Sequence, residues 1–227
     1  MARAGSVSDA LKSRISTRAF LDTPVSEAEV RALLETARWS ASGGNLQPWK
    51  VHVVAGETRQ AVIDAVKASL DKDPFANESE FSVYPEKLWE PYRSRRHRLG
   101  EDMYELLGIP RDDKMARLGQ LMKNYEFFGA PVGIFFSIDE RMGPGQWAHL
   151  GMFMMSLALA AEEAGLATCF QEAWSPRART VAEVLGIEAP YIVYCGMALG
   201  HGDPDAPVNQ LRSKRAEVDE FAAFSGF

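Results

Sequence analysis

The stretch from Trp147 to Ala164 constrains this chain more than any other, because it is apolar nearly all round a helix. Such a helix has no face to turn toward water. It is also too short to cross a bilayer with comfort, and no apolar run in the chain reaches the roughly 18 residues of a membrane span. It therefore belongs at the centre of a fold, covered by the rest of the chain or by a second subunit. The 227 residues are enough for one large domain or two small ones.

The surroundings of this helix follow from periodicity. Val7, Leu11 and Ile15 predict a first helix over 7–16. A second begins at Ser26, where Ser26 and Glu29 form a capping box and Val25 and Val30 a hydrophobic staple. Trp49 to Val54 reads as a strand closed by Gly56, followed by a helix carrying Ala61, Val62, Val66 and Leu70. The segment 71–83, with Pro74 and no clear period, reads as a loop, and 85–107 as a charged helix. Val132–Ile138, Thr168–Gln171 and Tyr191–Leu199 read as further strands, with Val181–Leu185 on a helix between the last two. This order predicts a layered α+β or α/β domain with few strands and long helical insertions. From Gly200 onward the chain changes character, with a basic cluster and then Phe221, Phe224 and Phe227. So aromatic a tail is expected to dock on its own subunit or on a partner.

Charge and composition remove several classes of function. A net charge of −6 argues against nucleic acid as the main partner. The two cysteines, Cys169 and Cys195, lie in apolar runs and cannot form a disulfide framework or a four-cysteine zinc site. The four histidines are scattered, and no metal site is expected. Met1 to Ser8 has no apolar core of the signal-peptide kind, so a cytoplasmic setting is expected. Dinucleotide fingerprints, phosphate loops and nucleophile elbows are also absent from the sequence.

Two clusters carry chemistry. Arg14-Ile15-Ser16-Thr17-Arg18-Ala19-Phe20 gathers two guanidinium groups and two hydroxyls at a helix end. It is either a surface helix end or a phosphate site, since arginine matches phosphate oxygens in bidentate fashion. Ser42-Gly43-Gly44-Asn45-Leu46-Gln47-Pro48-Trp49 leads into a strand. It is either an ordinary glycine turn or a place where backbone approaches a flat heterocycle, with Asn45 and Gln47 reading its edge.

Together, Arg-x-Ser-x-Arg-x-Phe and Gly-Gly-Asn-x-Gln-Pro-Trp, roughly 25 residues apart, resemble the FMN-dependent nitroreductase superfamily. Glu172-Ala173-Trp174 and Arg212-Ser213-Lys214-Arg215 extend the resemblance over about 8–221. Gln171 to Trp174 and Pro207-Val208-Asn209-x-Leu211-Arg212 look most like its nitrobenzoate reductase branch. The resemblance implies a single domain over 1–227. Its three-layer α+β fold would have a small mixed sheet between helices and form an obligate homodimer with FMN at the interface. Residues 71–108 would be a helical insertion over the site, and 200–227 an extension docking on the partner subunit.

By the same resemblance, Arg14, Arg212 and Arg215 hold the FMN phosphate, with Ile15 and Ser16 alongside. Arg18 sits near the N1–O2 edge of the flavin. Asn45, Gln47 and Asn124 supply polar contacts. The Ala173 backbone N–H points at flavin N5, and Glu172 shapes that turn. Ala41 stands where proline is common, and Ser42 and Gly43 lie against the flavin from the opposite subunit. The implied activity is ping-pong reduction of nitroaromatic or similar electron-poor compounds by NADH or NADPH. The same scaffold also serves enone reduction, reductive dehalogenation and flavin fragmentation, and a non-catalytic flavin-binding protein is a third alternative of a different class. In the insertion, Tyr84, Trp89 and Tyr92 either pack the excursion onto the body or stack on a substrate ring. Arg93 and Arg96 either lie on a solvated helix face or pair with a substrate carboxylate.

Overall fold

The strand Val132–Asp139 is buried along nearly its whole length, and a strand covered on both faces belongs in the middle of a layered fold. The computed structural model describes residues 5–227. Residues 1–4, half of the N-terminal segment considered above, lie outside the described residues. The described helices, in chain order, are α1 (Val7–Ser13), α2 (Glu27–Ala37), α3 (Gly56–Lys72), α4 (Tyr92–Leu106), α5 (Lys114–Met122), α6 (Pro144–Glu163) and α7 (Ala178–Leu185). The strands are β1 (Lys50–Ala55), β2 (Val132–Asp139), β3 (Ala167–Gln171) and β4 (Tyr191–Gly200), arranged β1-β2-β4-β3.

Among the described residues every strand pair is antiparallel, so the mixed sheet implied by the resemblance is corrected. The reason lies in one insertion. β2 and β3, joined through α6, run in the same direction, but β4 lies between them and pairs antiparallel with both.

Side chains alternate across the sheet. Ile134 and Phe136 enter a core with Leu33 of α2 and Leu150, Phe153 and Leu157 of α6. Phe135 enters a second core on the other face, with Val62 and Val66 of α3, Val181 of α7, and Phe127 and Trp174. The fold is therefore three-layered α+β, with α6 as the central helix its composition required. α6 keeps an uncovered strip in the single protomer, where Ala148, Gly151 and Met152 are exposed. No helix among the described residues is long and apolar enough to cross a membrane.

Three local expectations shift. The first helix ends at Ser13, because the chain leaves it to run beside β3, with Thr17 N–H donating to the Thr168 carbonyl at 3.0 Å. The charged helix starts at Tyr92 rather than at residue 85, with Pro91 at its cap. α5 was not anticipated, although Asp113 caps it by accepting from Ala116 N–H at 2.9 Å. The capping box of α2 forms as read, with Ser26 N–H donating to Glu29 Oε2 at 2.7 Å and Glu29 N–H to Ser26 Oγ at 3.3 Å.

Candidate active site

Two distant pieces of chain meet beside β3. Leu21 N–H donates to the His201 carbonyl at 2.8 Å and Asp203 N–H to the Ala19 carbonyl at 3.0 Å. Buried Asn209 closes the seam. Its Oδ1 accepts from Arg18 N–H at 2.8 Å, and its Nδ2 donates to the carbonyls of Ala19 and Asp203, each at 2.8 Å. Asn209 stands in a motif quoted for the resemblance, but only the fold reveals its role as the clamp.

This seam brings the cations of the two chain ends together. A cavity of about 350 Å³ is lined by Lys12, Arg14, Arg18, Arg212 and Arg215, with Ser16 and Ser213 adding hydroxyls and no carboxylate in the lining. Backbone carbonyls aim the guanidiniums: Arg18 donates to that of Ser16 at 3.1 Å, and Arg212 to that of Asn209 at 3.0 Å. Arg14 is half-buried, and burial together with the charge of Arg215 holds its guanidinium below its ordinary pKa. Several cations crowded without an acid suit a dianionic phosphate monoester. The residues present therefore fit the FMN phosphate that the sequence implies. Ile15 lines the same cavity.

The turn Glu172–Arg177 follows β3 directly. Gln171 anchors its start: its Nε2 donates to the Asn124 carbonyl at 2.7 Å, and its Oε1 accepts from Trp174 Nε1 at 3.3 Å. Asn124 thus lies beside the turn, its own Nδ2 held by the Leu121 carbonyl at 2.8 Å. Trp174 is fully buried, and Ala173 between Glu172 and Trp174 is half-buried. Burial raises the Glu172 pKa, partly offset by the hydroxyls of its neighbours Tyr194 and Tyr84. Tyr194 is pushed up to about 12, mainly by burial. Glu172 is thus a half-buried carboxyl standing between two phenols. Tyr194 was not anticipated, since β4 delivers it from more than 20 residues away.

The glycine turn has the conformation of a built feature. Gly44, Asn45 and Gln47 all have φ between 49° and 60°, a region that costs asparagine and glutamine energy. Ser42 Oγ accepts from Gln47 N–H at 3.0 Å, and Gln47 Nε2 donates to the Asn45 carbonyl at 3.2 Å. A Cβ on Gly43 would stand 3.0 Å from the His149 ring, so only glycine sits there without displacing it. His149 of α6 is another residue the sequence did not single out. Residues 41–47 line neither the cationic cavity nor the aromatic one described next, and Ala41 and Gly43–Gln47 are exposed in the protomer.

A larger cavity, about 920 Å³, lies between α4 and the segment 213–220. Tyr84, Trp89, Tyr92 and Arg96 line it, and the Arg96 guanidinium sits 4.5 Å from the centre of the Tyr84 ring. Arg93 stands apart, paired with Glu90 at 2.8 Å. The two cavities adjoin, since Leu99, Ser213 and Arg215 border both.

The sequence profile of the Nitroreductase family matches residues 11–201. A 4-nitrobenzoate reductase of Pseudomonas putida is 36% identical over 215 residues, covering 95% of this chain and 93% of that protein. A nitrobenzene nitroreductase of Ectopseudomonas oleovorans is 33% identical, covering 96% of each. Among solved structures, the FMN and NADPH-dependent nitroreductase NfnB from Sphigopyxis sp. strain HMH superposes with a TM-score of 0.95 at 44% identity, covering 98% of this chain and all of that one. The FMN-dependent NfnB of Mycobacterium smegmatis, solved with NADPH, gives 0.90 at 30% identity, covering 96% and 97%.

Proposed function

The chain belongs to the nitroreductase family, and on that premise we propose that it is an FMN-dependent oxidoreductase that uses NAD(P)H to reduce nitroaromatic compounds. The observation that carries this is the socket of five cations, with no carboxylate in its lining, built from both chain ends beside β3, the strand that leads into the Glu172–Arg177 turn. When bound there, FMN supplies the carrier that takes hydride from the dinucleotide and passes it to the substrate.

The residues have separable tasks. Arg14, Arg212 and Arg215 neutralise the phosphate, and Lys12 and Ser16 complete the socket. Arg18, fixed through its backbone by Asn209, places positive charge beside the ring system, where it favours the reduced, more negative form. Ala173 offers a backbone N–H held rigidly by the buried Trp174. Asn124 and Gln171 brace that turn. Glu172, whose pKa burial raises, stands between Tyr84 and Tyr194 at the edge of the site.

A second copy of the chain completes the site. The exposed strip on α6 and Phe221 and Phe224, 72% and 65% exposed in the protomer, give that copy its apolar contact. The exposed Ser42–Gln47 turn then reaches the partner's flavin. In this reading 71–108 roofs the site, and 200–227 first runs along its own protomer, as far as the Arg95–Glu220 pair, before its aromatic end docks on the partner. The two buried free thiols suit the reducing cytoplasm in which such an enzyme would work.

The test is spectroscopic. The purified protein should be a yellow dimer whose flavin bands bleach on anaerobic addition of NADPH or NADH and return on addition of a nitroarene. Steady-state double-reciprocal lines should be parallel. A colourless protein that takes up no FMN refutes the proposal.

A further inference from the structure

The turn Glu172–Arg177 is gripped from two sides. Asn124 holds its start through Gln171. The other grip comes from residues 73–81, the first part of the insertion, which form no helix or strand. Three consecutive residues of the turn are bonded to them. Buried Arg177 donates from Nη2 to the Asp73 carbonyl at 2.8 Å, and the Pro176 carbonyl accepts from Glu78 N–H at 3.1 Å. The hydroxyls of Ser79 and buried Ser175 lie 2.6 Å apart. Ser79 gives its single hydroxyl hydrogen to the Phe81 carbonyl at 2.7 Å, so Ser175 is the donor between the two serines. Phe81 then closes a triangle of rings, 5.1 Å from Trp147 of α6 and 5.5 Å from Tyr194 of β4.

Glu78 does more than cross the gap. A helix start needs an acceptor for the N–H groups of its first turn. Arg177, at the cap position of α7, has none to offer. Glu78 supplies it from 102 residues away: its Oε2 accepts from Thr180 N–H and its Oε1 from the Thr180 hydroxyl, each at 2.9 Å. A carboxylate also suits the positive end of the helix. The two grips together leave out Glu172 and Ala173, so the stretch assigned to the flavin is suspended between fixed ends.

From this we infer that residues 73–81 are a buttress for the turn, and that Glu78 is a positioning residue for hydride transfer, acting through α7 and Ser175–Arg177 on the direction of the Ala173 N–H. This role rests on the proposed flavin chemistry at the turn. Misalignment at a reacting centre lowers the rate more than it weakens binding.

The test reads the turn and the rate separately. In FMN-loaded Glu78→Ala, amide hydrogen exchange over 172–177 should quicken about tenfold, the scale of one lost charge-assisted bond. The limiting rate of anaerobic flavin reduction by NADPH should fall about tenfold, while the half-saturating NADPH concentration stays within about twofold. Glu78→Gln, which keeps an acceptor for Thr180, should restore most of both. Ser79→Ala breaks the bond to Ser175 and should shift exchange and rate the same way by a smaller factor, a second reading if Glu78→Ala fails to fold. Arg179→Ala cuts the exposed Arg179–Glu80 pair, 3.4 Å long, between the same two segments, and should leave both unchanged. Unchanged exchange in Glu78→Ala removes the buttress. Faster exchange with an unchanged limiting rate, or a loss confined to half-saturation, makes Glu78 a structural cap only and overturns the positioning role. A protein that takes up no FMN, or whose flavin neither donor reduces, refutes the proposed function and the positioning role with it, while exchange, which needs no flavin, still judges the buttress.

Discussion

Gly196→Ala is the substitution whose consequence can be followed furthest from one contact. Gly196 of β4 pairs across the sheet with Gln171, the residue before the Glu172 turn. A Cβ at 196 would stand 2.3 Å from Trp174 Cδ1 and 2.8 Å from its Nε1. Carbon atoms rest at about 3.5–4.0 Å, so the indole must retreat by more than about 1 Å. It has nowhere to go. Trp174 is fully buried, with ring-centre distances of 4.6 Å to Phe127, 5.2 Å to Phe135 and 5.3 Å to Tyr125. Overpacking of this kind costs about 1–3 kcal/mol, and losing the Trp174–Gln171 hydrogen bond adds about 1 kcal/mol. The expected destabilisation is therefore about 2–4 kcal/mol by denaturant melt. The strain runs directly into Ala173, so FMN affinity, read by fluorescence quenching, should fall as well. Gly100→Ala is the control: a Cβ there meets nothing within 4 Å on α4, and the change should stabilise by about 0.5–1 kcal/mol. Adding Trp174→Phe to Gly196→Ala should recover part of the loss, because the smaller ring vacates the clash. If Gly196→Ala matches Gly100→Ala in stability and FMN affinity, or if Trp174→Phe shows no coupling to it, the reasoning fails.

Asn209→Ala removes one acceptor and two donated hydrogen bonds at the seam between the chain ends; a loss of about 1–3 kcal/mol by denaturant melt is expected, with weaker FMN binding. Arg14→Met should weaken FMN binding about tenfold or more, yet leave the flavin-free protein as stable or more so, because it removes a half-buried cation repelled by Arg215. Paired melts with and without FMN check this, and equal destabilisation in both counts against it. For Glu172, the folded protein holds its proton to higher pH than the unfolded chain does. Its stabilising contribution is complete below the ordinary glutamate range and is lost as pH rises through the raised folded value. Glu172→Gln should therefore gain stability relative to the parent chain as pH rises from the ordinary glutamate range toward neutrality. A difference that stays constant with pH refutes the raised pKa.

What could be read from the sequence was what is encoded locally. The α2 capping box lies within four residues, and each strand announces itself by a short β-branched and aromatic run. The central helix was legible because no arrangement other than burial suits it. α5 escaped because its Met115, Leu118 and Leu121 face outward in the protomer, at 76%, 48% and 53% exposure, so its apolar residues do not mark a core face here. The antiparallel sheet escaped because strand order depends on where β4 inserts, a choice made by tertiary packing. The site divides the same way. Its arginines were visible from residue type and motif. Asn209, Gln171 and Tyr194 were not assigned roles, since an amide or a phenol acquires meaning only from partners that the fold brings from far along the chain.

The cation socket also explains why the fold has its seam. Burying Arg14, and placing it near Arg215, opposes folding, as the lowered pKa of Arg14 records, and nothing in either local sequence favours the approach. What holds the two segments together is uncharged: backbone pairing of Leu21 with His201 and of Asp203 with Ala19, and the three bonds of Asn209. Each such bond nets about 1 kcal/mol, and it does not weaken when the charge it frames is neutralised. A neutral clamp around mutually repelling cations sets their spacing independently of any ligand, so that an arriving dianion meets guanidiniums already in position. The cost of ordering them then falls on folding and not on binding. This division of labour is why the residues that shape the socket, Asn209 above all, are not the ones that would touch the phosphate.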